Sequence, residues 1–329
     1  MRDRPTPEHS GGPVFLPSET IEVLHTALLA WFAHHARDLP WRRTRDPYRI
    51  LVSEVMLQQT QVERVVPKYH AFLAAFPSLE RLASAPTAEV IRLWAGLGYN
   101  RRAVNLQRTA RTVLEEHGGA FPREVATLRR LPGIGPYTAG AVACFAFEQD
   151  VAFLDTNIRR VLRRACIGPD EMAGAVSDRE LLALGAALVP SGRGWAWNQA
   201  LIELGALVCT SASPACPRCP LRPVCRAYAA RAAADEALVG AMAAGAHPPA
   251  ARRIAERKTE PYAGSRRWYR GRAINALRAL SPGSALLLAE LGPRLKPNYG
   301  PADEPWLRGL VADLDRDGLL VFENERLWS

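Results

Sequence analysis

Lysine is nearly absent. Of the 42 Lys and Arg residues, only Lys68, Lys258 and Lys296 are lysines, so imine chemistry on a side-chain amine has three candidates in the whole chain. Long apolar runs are missing as well. None approaches the roughly 18 residues a membrane helix requires, which excludes a helical span. The opening stretch, residues 1–13, is polar and lacks an apolar core, so no secretory leader is expected. Between 19 and 228 no apolar–polar alternation lasts long enough to make a convincing strand.

What is present describes an ordinary globular chain. It has 329 residues, 48% apolar and 23% charged, enough for about two domains with full cores. The net charge of +9 points to an anionic partner, with nucleic acid the first candidate. An arginine-rich solvated surface has the same composition, so charge alone does not decide.

Residues 1–18 read as a flexible tail rich in Pro and Gly. From 19 to 228, apolar residues recur at spacings of three and four, broken by Pro or Gly, which predicts a domain of short helices. Asp46-Pro47 reads as an N-cap with proline in the first turn. Leu51, Val55, Val62 and Val66 then fall on one helical face. Further helical patterns cover 87–95, 102–116, 123–130, 137–147, 156–166, 178–189 and 197–208. Residues 229–265 read as an Ala-rich helix and a basic linker, and 252–272 carry a local charge of +6 suited to lying along phosphates. Residues 266–329 read as helical patterns at 270–280, 284–292 and 304–315, followed by a terminal β-hairpin. That order suggests a small winged-helix-like domain.

Two motifs carry chemistry. In Leu131-Pro132-Gly133-Ile134-Gly135-Pro136, glycines two apart permit a tight turn with positive φ between two helices. Their uncovered N–H groups, at the start of the second helix, can hold a phosphate oxygen. The pattern is that of a helix-hairpin-helix. The second motif is Cys209-x6-Cys216-x2-Cys219-x5-Cys225. Without a secretory leader, such a cluster reads as a metal site, not a disulfide framework. A zinc ribbon uses two C-x2-C pairs, whereas this loop has one, so the spacing favours a [4Fe–4S] cluster. Cys144 and Cys166 lie in apolar helical runs and read as core.

With these motifs, the chain resembles the helix-hairpin-helix DNA glycosylases that carry an iron–sulfur loop, and among them the MutY-type adenine DNA glycosylases. The resemblance spans about residues 22–228. Its sharpest piece is Ser53-Glu54-Val55-Met56-Leu57-Gln58-Gln59-Thr60-Gln61-Val62, preceded by Leu39-Pro40-Trp41-Arg42. Gly96-Leu97-Gly98-Tyr99, Leu154-Asp155-Thr156-Asn157 and Asn198-Gln199-Ala200 support it independently. It implies a mostly α fold of two helical lobes with an iron–sulfur loop, to which the winged-helix-like domain is appended.

Purine removal needs protonation of the leaving base and stabilisation of a positive sugar, a task resembling glycoside hydrolysis by two carboxyl groups. Glu54 sits at the edge of an apolar helix face, an environment that favours the protonated acid. Asp155 is placed as the N-cap of the 156–166 pattern, where N–H donors and the helix dipole favour its anion. The resemblance implies that Glu54 protonates adenine and assists water, and that Asp155 stabilises the oxocarbenium ion. Tyr137 stands where related endonuclease III enzymes carry a Schiff-base lysine. A phenol cannot form that imine, so a monofunctional glycosylase is expected, with Tyr137 as a helper near the sugar.

A base inside a duplex must be flipped out to be reached. The resemblance implies that Gln59 and Tyr99 wedge the helix gap, with Thr60 and Leu97 near an opposite 8-oxoguanine. It implies as well that Trp41, Arg42 and Gln199 line the adenine pocket, and Gly133, Gly135 and Asn157 are expected to contact DNA. Asn100 departs from the second tyrosine common in the family. The strand-rich Nudix-like domain and Phe-Ser-His loop that read 8-oxoguanine in many relatives are not recognisable here. The implied partner is duplex DNA with adenine opposite 8-oxoguanine or guanine. A monomer in the cytoplasm is expected, associated with the nucleoid if bacterial. A thymine or uracil mismatch glycosylase is the competing enzyme, and Glu54 with Gln58-Gln59-Thr60 argues against it. A non-catalytic DNA-binding module would lack Glu54 or Asp155, and both are present.

Overall fold

A computed structural model describes residues 16–170, 176–243, 262–281 and 283–328. The expected tail and linker therefore lie largely outside the described residues. The chain's contacts divide into two units, each discontinuous in sequence. The first holds the described residues of 16–45 and 135–243, and the second those of 46–134 and 262–328.

The first unit is helical. Its helices are Ser18–His35, Pro136–Phe147, Thr156–Leu162, Asp178–Ala187, Gly194–Leu207 and Arg226–Ala243. Leu28, Ile158, Trp197 and Leu204 are almost wholly buried. The expected helix at 156–166 changes character at Arg163, where a π-turn runs Arg163–Ile167. Gly205 lets Gly194–Leu207 approach Thr156–Leu162 closely, since a Cβ there would fall 2.6 Å from the Asn157 side chain. Ser177 and Glu180 close a capping box on Asp178–Ala187.

The second unit contains the helices Pro47–Leu57, Val62–Ala75, Leu79–Ser84, Thr87–Leu93 and Arg101–His117. Asp46 accepts from the N–H groups of Tyr48 and Arg49 and Pro47 occupies the first turn, as the sequence predicts. The single face expected from Leu51 to Val66 is instead split between two helices. Pro47–Leu57 ends at a turn where Gln59 is left-handed, φ 55°, and Val62 begins a new helix.

The C-terminal residues join this second unit. Three helices (Arg266–Arg278, Leu288–Leu295 and Glu304–Arg316) pack with a three-stranded antiparallel sheet. The hairpin strands are Val321–Glu323 and Arg326–Trp328. They turn through Asn324 and Glu325, both at positive φ. The order of helices and hairpin is the one expected, with one correction: Leu286–Leu287 is a strand paired with Leu327 and Arg326, not the start of a helix. Two residues are too few for alternation to show. The core of these elements is continuous with Ile91 and Val104, so they do not stand alone as a separate 266–329 body.

Candidate active site and cysteine loop

In the second unit, the helix Pro47–Leu57 is buried along nearly its whole length. Glu54 is 3% exposed, enclosed more fully than a position at the edge of an apolar face. Five residues on, Gln59 is exposed and left-handed. Tyr99 shares both features, with φ 47° and 43% exposure. Non-glycine residues in this region carry strain of about 1 kcal/mol or more, and persist where their surroundings hold them. Here the surroundings are Arg102. Its guanidinium donates to the carbonyls of Val55 (2.7 Å), Gln58 (2.6 Å) and Leu97 (3.0 Å), and to Thr60 Oγ1 (3.3 Å). One side chain thus ties the turn bearing Gln59 to the turn bearing Tyr99. Burial lowers its pKa to about 10. Leu97, expected near an opposite base, is 5% exposed, so its side chain belongs to the core.

In the first unit, Asp155 caps Thr156–Leu162. Its Oδ1 accepts from Ile158 N–H at 2.6 Å and its Oδ2 from Asn157 Nδ2 at 2.9 Å. Asn157 Oδ1 accepts in turn from Arg160, which also donates to the carbonyls of Gly205 and Cys209. The carboxyl's ionisation departs from the expectation that capping favours the anion. Burial pushes its pKa up and outweighs the hydrogen bonds from Ile158 and Asn157. An anion held in poor solvent gains more from a cation formed beside it. Tyr137 lies in the first turn of Pro136–Phe147, edge-on to Phe153 at 5.6 Å.

Of the three residues expected at the adenine pocket, Arg42 and Gln199 are in direct contact. Trp41 is 6% and Gln199 5% exposed, and Arg42 Nε donates to Gln199 Oε1 at 2.9 Å. The organiser is Glu203, which sequence reasoning missed. It is fully buried and accepts from Arg42 Nη2 at 2.8 Å and from Arg37 Nε and Nη2 at 2.9 Å. Burial opposes its charge, but the bonds from Arg37 and Arg42 prevail and hold its pKa down at about 2.

The glycine turn differs in detail from the expectation. Only Gly133 has positive φ, 74°, and a Cβ there would strike Asn105 at 2.7 Å. Gly135 is extended, φ −85°, and serves as the N-cap of Pro136–Phe147. Both glycines are exposed, and among the described residues their N–H groups reach no protein acceptor. They suit an anionic oxygen.

Cys209, Cys216, Cys219 and Cys225 line one cavity with Arg164, Arg222 and Tyr228. The Cys219 thiol is pushed up to about 11 by burial, with the other three thiols adding to the rise. Arg164 Nη1 lies 3.8 Å from Cys209 Sγ, and the Cys225 thiol donates to the Arg164 carbonyl at 3.4 Å. Bare thiolates would be costly here, and a cationic cluster would offset that cost. Among the described residues, no three His, Cys, Asp or Glu side chains meet at the spacing of a single-ion site. Cys144 and Cys166 are buried in the core, as expected.

Residues 52–181 match the HhH-GPD superfamily of base excision DNA repair proteins. The adenine DNA glycosylase of Mycolicibacterium smegmatis is 42% identical over 252 residues, covering 76% of this chain and 79% of that protein. The chain belongs to the adenine DNA glycosylases. Within that family, the human adenine DNA glycosylase is 46% identical over 217 residues. These are 63% of this chain but 40% of the human one, so the chain spans less than half of that relative. Among solved structures, a thermostable thymine-DNA glycosylase superposes with a TM-score of 0.60 at 32% identity, covering 64% of this chain and 97% of that chain. For an adenine DNA glycosylase, Glu54 and Asp155 are the carboxyl groups the sequence singles out; Glu54 is 3% exposed, and burial raises the pKa of Asp155.

Proposed function

We propose that this chain hydrolyses the N-glycosidic bond of adenine opposite 8-oxoguanine or guanine in duplex DNA. The observation that carries the reading is the enclosure of Glu54. In this reading Glu54 is the general acid that gives a proton to a ring nitrogen of the departing base. The C1′–N bond breaks as that proton arrives. Asp155 stabilises the positive sugar that remains, and water adds at C1′ with its proton returning to Glu54. Tyr137 accompanies the sugar. The helix Pro136–Phe147 contains no lysine, which supports hydrolysis without a Schiff-base strand-cleavage step.

Extrusion of the adenine fits the exposed, left-handed Gln59 and Tyr99, with Thr60 beside them. Trp41, Arg42 and Gln199 receive the base, and the N–H groups at Gly133 and Gly135, with Asn157, hold backbone. Cys209, Cys216, Cys219 and Cys225 would hold a [4Fe–4S] cluster. When bound, it supplies a structural knot that presents Arg218 and Arg222 to phosphates. Among the described residues no helix is long and apolar enough to cross a membrane.

The basic strap expected at 252–272 receives little support where it is described. Arg266 pairs with Asp313, Arg270 with Asp317, and Arg272 donates to the Arg294 carbonyl. Residues 252–261 lie outside the described residues. A second reading, thymine or uracil release, draws on the likeness to the thymine-DNA glycosylase structure. Single-turnover base release from A:8-oxoguanine, A:G, A:C, T:G and U:G duplexes separates the two. Release of adenine, fastest opposite 8-oxoguanine or guanine, is expected. Release confined to T:G or U:G would overturn the proposal.

A further inference from the structure

The helix Arg266–Arg278 takes no part in the chemistry above, yet it and the turn after Glu304–Arg316 hold three consecutive residues around Tyr99. The Arg267 guanidinium carbon lies 4.2 Å from the centre of the Tyr99 ring. At the other end of the same helix, Arg278 Nη2 donates to Asn100 Oδ1 at 2.8 Å and to the Ile91 carbonyl at 2.7 Å. Arg101 pairs with Asp317 at 3.4 Å, and Asp317 also pairs with Arg270 of that helix at 2.5 Å. Tyr99, Asn100 and Arg101 are therefore each gripped from the C-terminal elements.

Three features make this grip more than packing. Tyr99 is both exposed and strained, so its conformation needs external support. Arg267 is itself exposed and forms no ion pair among the described residues; its neighbours are the rings of Tyr99 and, at 5.5 Å, Tyr262. A guanidinium over an aromatic face is attracted by the ring's charge distribution and leaves the ring edge free. Asn100 stands where the resembling enzymes often carry a second tyrosine, and a carboxamide oxygen suits the Arg278 donor.

We propose that the C-terminal elements position the wedge, with Arg267 as the positioning residue that holds the Tyr99 ring and Arg278 and Asp317 fixing the backbone that follows. On this account they serve base extrusion through Tyr99, without touching the base opposite the adenine. The proposal rests on the reading of Tyr99 as an intercalating side chain.

The test uses the full chain and a duplex carrying 2-aminopurine beside the target adenine, whose fluorescence rises as the adenine leaves the stack. The variants are Tyr99→Ala, Arg267→Ala, Arg267→Lys and the double Tyr99→Ala/Arg267→Ala. Arg267→Ala should slow the fluorescence rise about two- to fivefold, the worth of an exposed cation–π contact. It should leave affinity for a matched duplex, and its salt dependence, unchanged. Arg267→Lys should restore most of the rate, and Arg267→Ala should add nothing in the Tyr99→Ala background. Equal weakening on matched and mismatched duplexes with a flatter salt slope would reduce Arg267 to a phosphate contact and overturn the proposal. Full additivity with Tyr99→Ala would overturn it too. A normal fluorescence rise in Tyr99→Ala alone would instead remove the wedge reading, whatever Arg267 does.

Discussion

Asn157 donates to Asp155 through Nδ2 at 2.9 Å and accepts from Arg160 through Oδ1 at 2.8 Å. One carboxamide therefore orients the Asp155 carboxyl and is itself fixed by an arginine bonded to the carbonyl of Cys209. The chain of contacts runs from the cysteine loop to the acid without leaving the first unit.

Burial sets the direction of the pH response. The Asp155 pKa stands above its ordinary value of 3.8, so the anion is lost at a higher pH than for an exposed aspartate. Adenine release should fall on the acid side as pH drops through that raised pKa. Asn157→Ala removes one of the bonds opposing burial, so the acid limb should move to still higher pH. Single-turnover rates from pH 4 to 9 would show it; an unmoved limb would separate Asn157 from the ionisation of Asp155.

Glu203 makes the opposite prediction for stability. Its folded pKa of about 2 lies below the ordinary 4.5. Its contribution is therefore complete above pH 4.5 and is lost as pH falls toward 2. Glu203→Gln should lower stability at neutral pH by about 3 kcal/mol, because Arg37 and Arg42 lose their buried counter-charge. It should also flatten the decline between pH 4.5 and 2, as read by urea unfolding.

Arg102 holds the two strained turns together through a fork of donors. Arg102→Lys keeps the charge but not the fork. The expected outcome is faster amide exchange at 58–60 and 97–99, with weaker mismatch binding and unchanged exchange in the first unit. Wild-type exchange in Arg102→Lys would show that the turns hold themselves.

Anaerobically purified protein should be brown and contain about four irons per chain. Cluster loss should weaken DNA binding more than it slows release from bound DNA, since the loop carries Arg218 and Arg222 and no acid. Stoichiometric zinc with no iron would contradict the cluster assignment.

Much of this was legible in the sequence because it is local. The Asp46 and Asp155 caps, the helix periods, the cysteine spacing and the terminal hairpin all depend on residues a few positions apart. What was not legible depends on distance. Glu203 and Arg37 are 166 residues apart, and Arg102 gathers carbonyls up to 47 residues away. The capping bond on Asp155 could be foreseen, but not the burial that overrides it. The turn at Gln59 hides because the apolar spacing of Leu51, Val55, Val62 and Val66 runs on through a break that periodicity cannot register. The C-terminal elements read as a separate body because nothing near them in sequence announces that Ile91 and Val104 complete their core. Deleting them would strip that core, so point variants such as Arg267→Ala test their role more cleanly than truncation.

The central claim is that Glu54 supplies the proton that releases adenine. The most direct measurement is single-turnover release from an A:8-oxoguanine duplex by Glu54→Gln, alongside its affinity for the same duplex. The amide keeps the shape of the side chain but cannot act as the acid. A loss of about 10²–10⁴-fold in rate, with near-normal affinity, is predicted. A rate close to that of the unaltered protein would contradict the account.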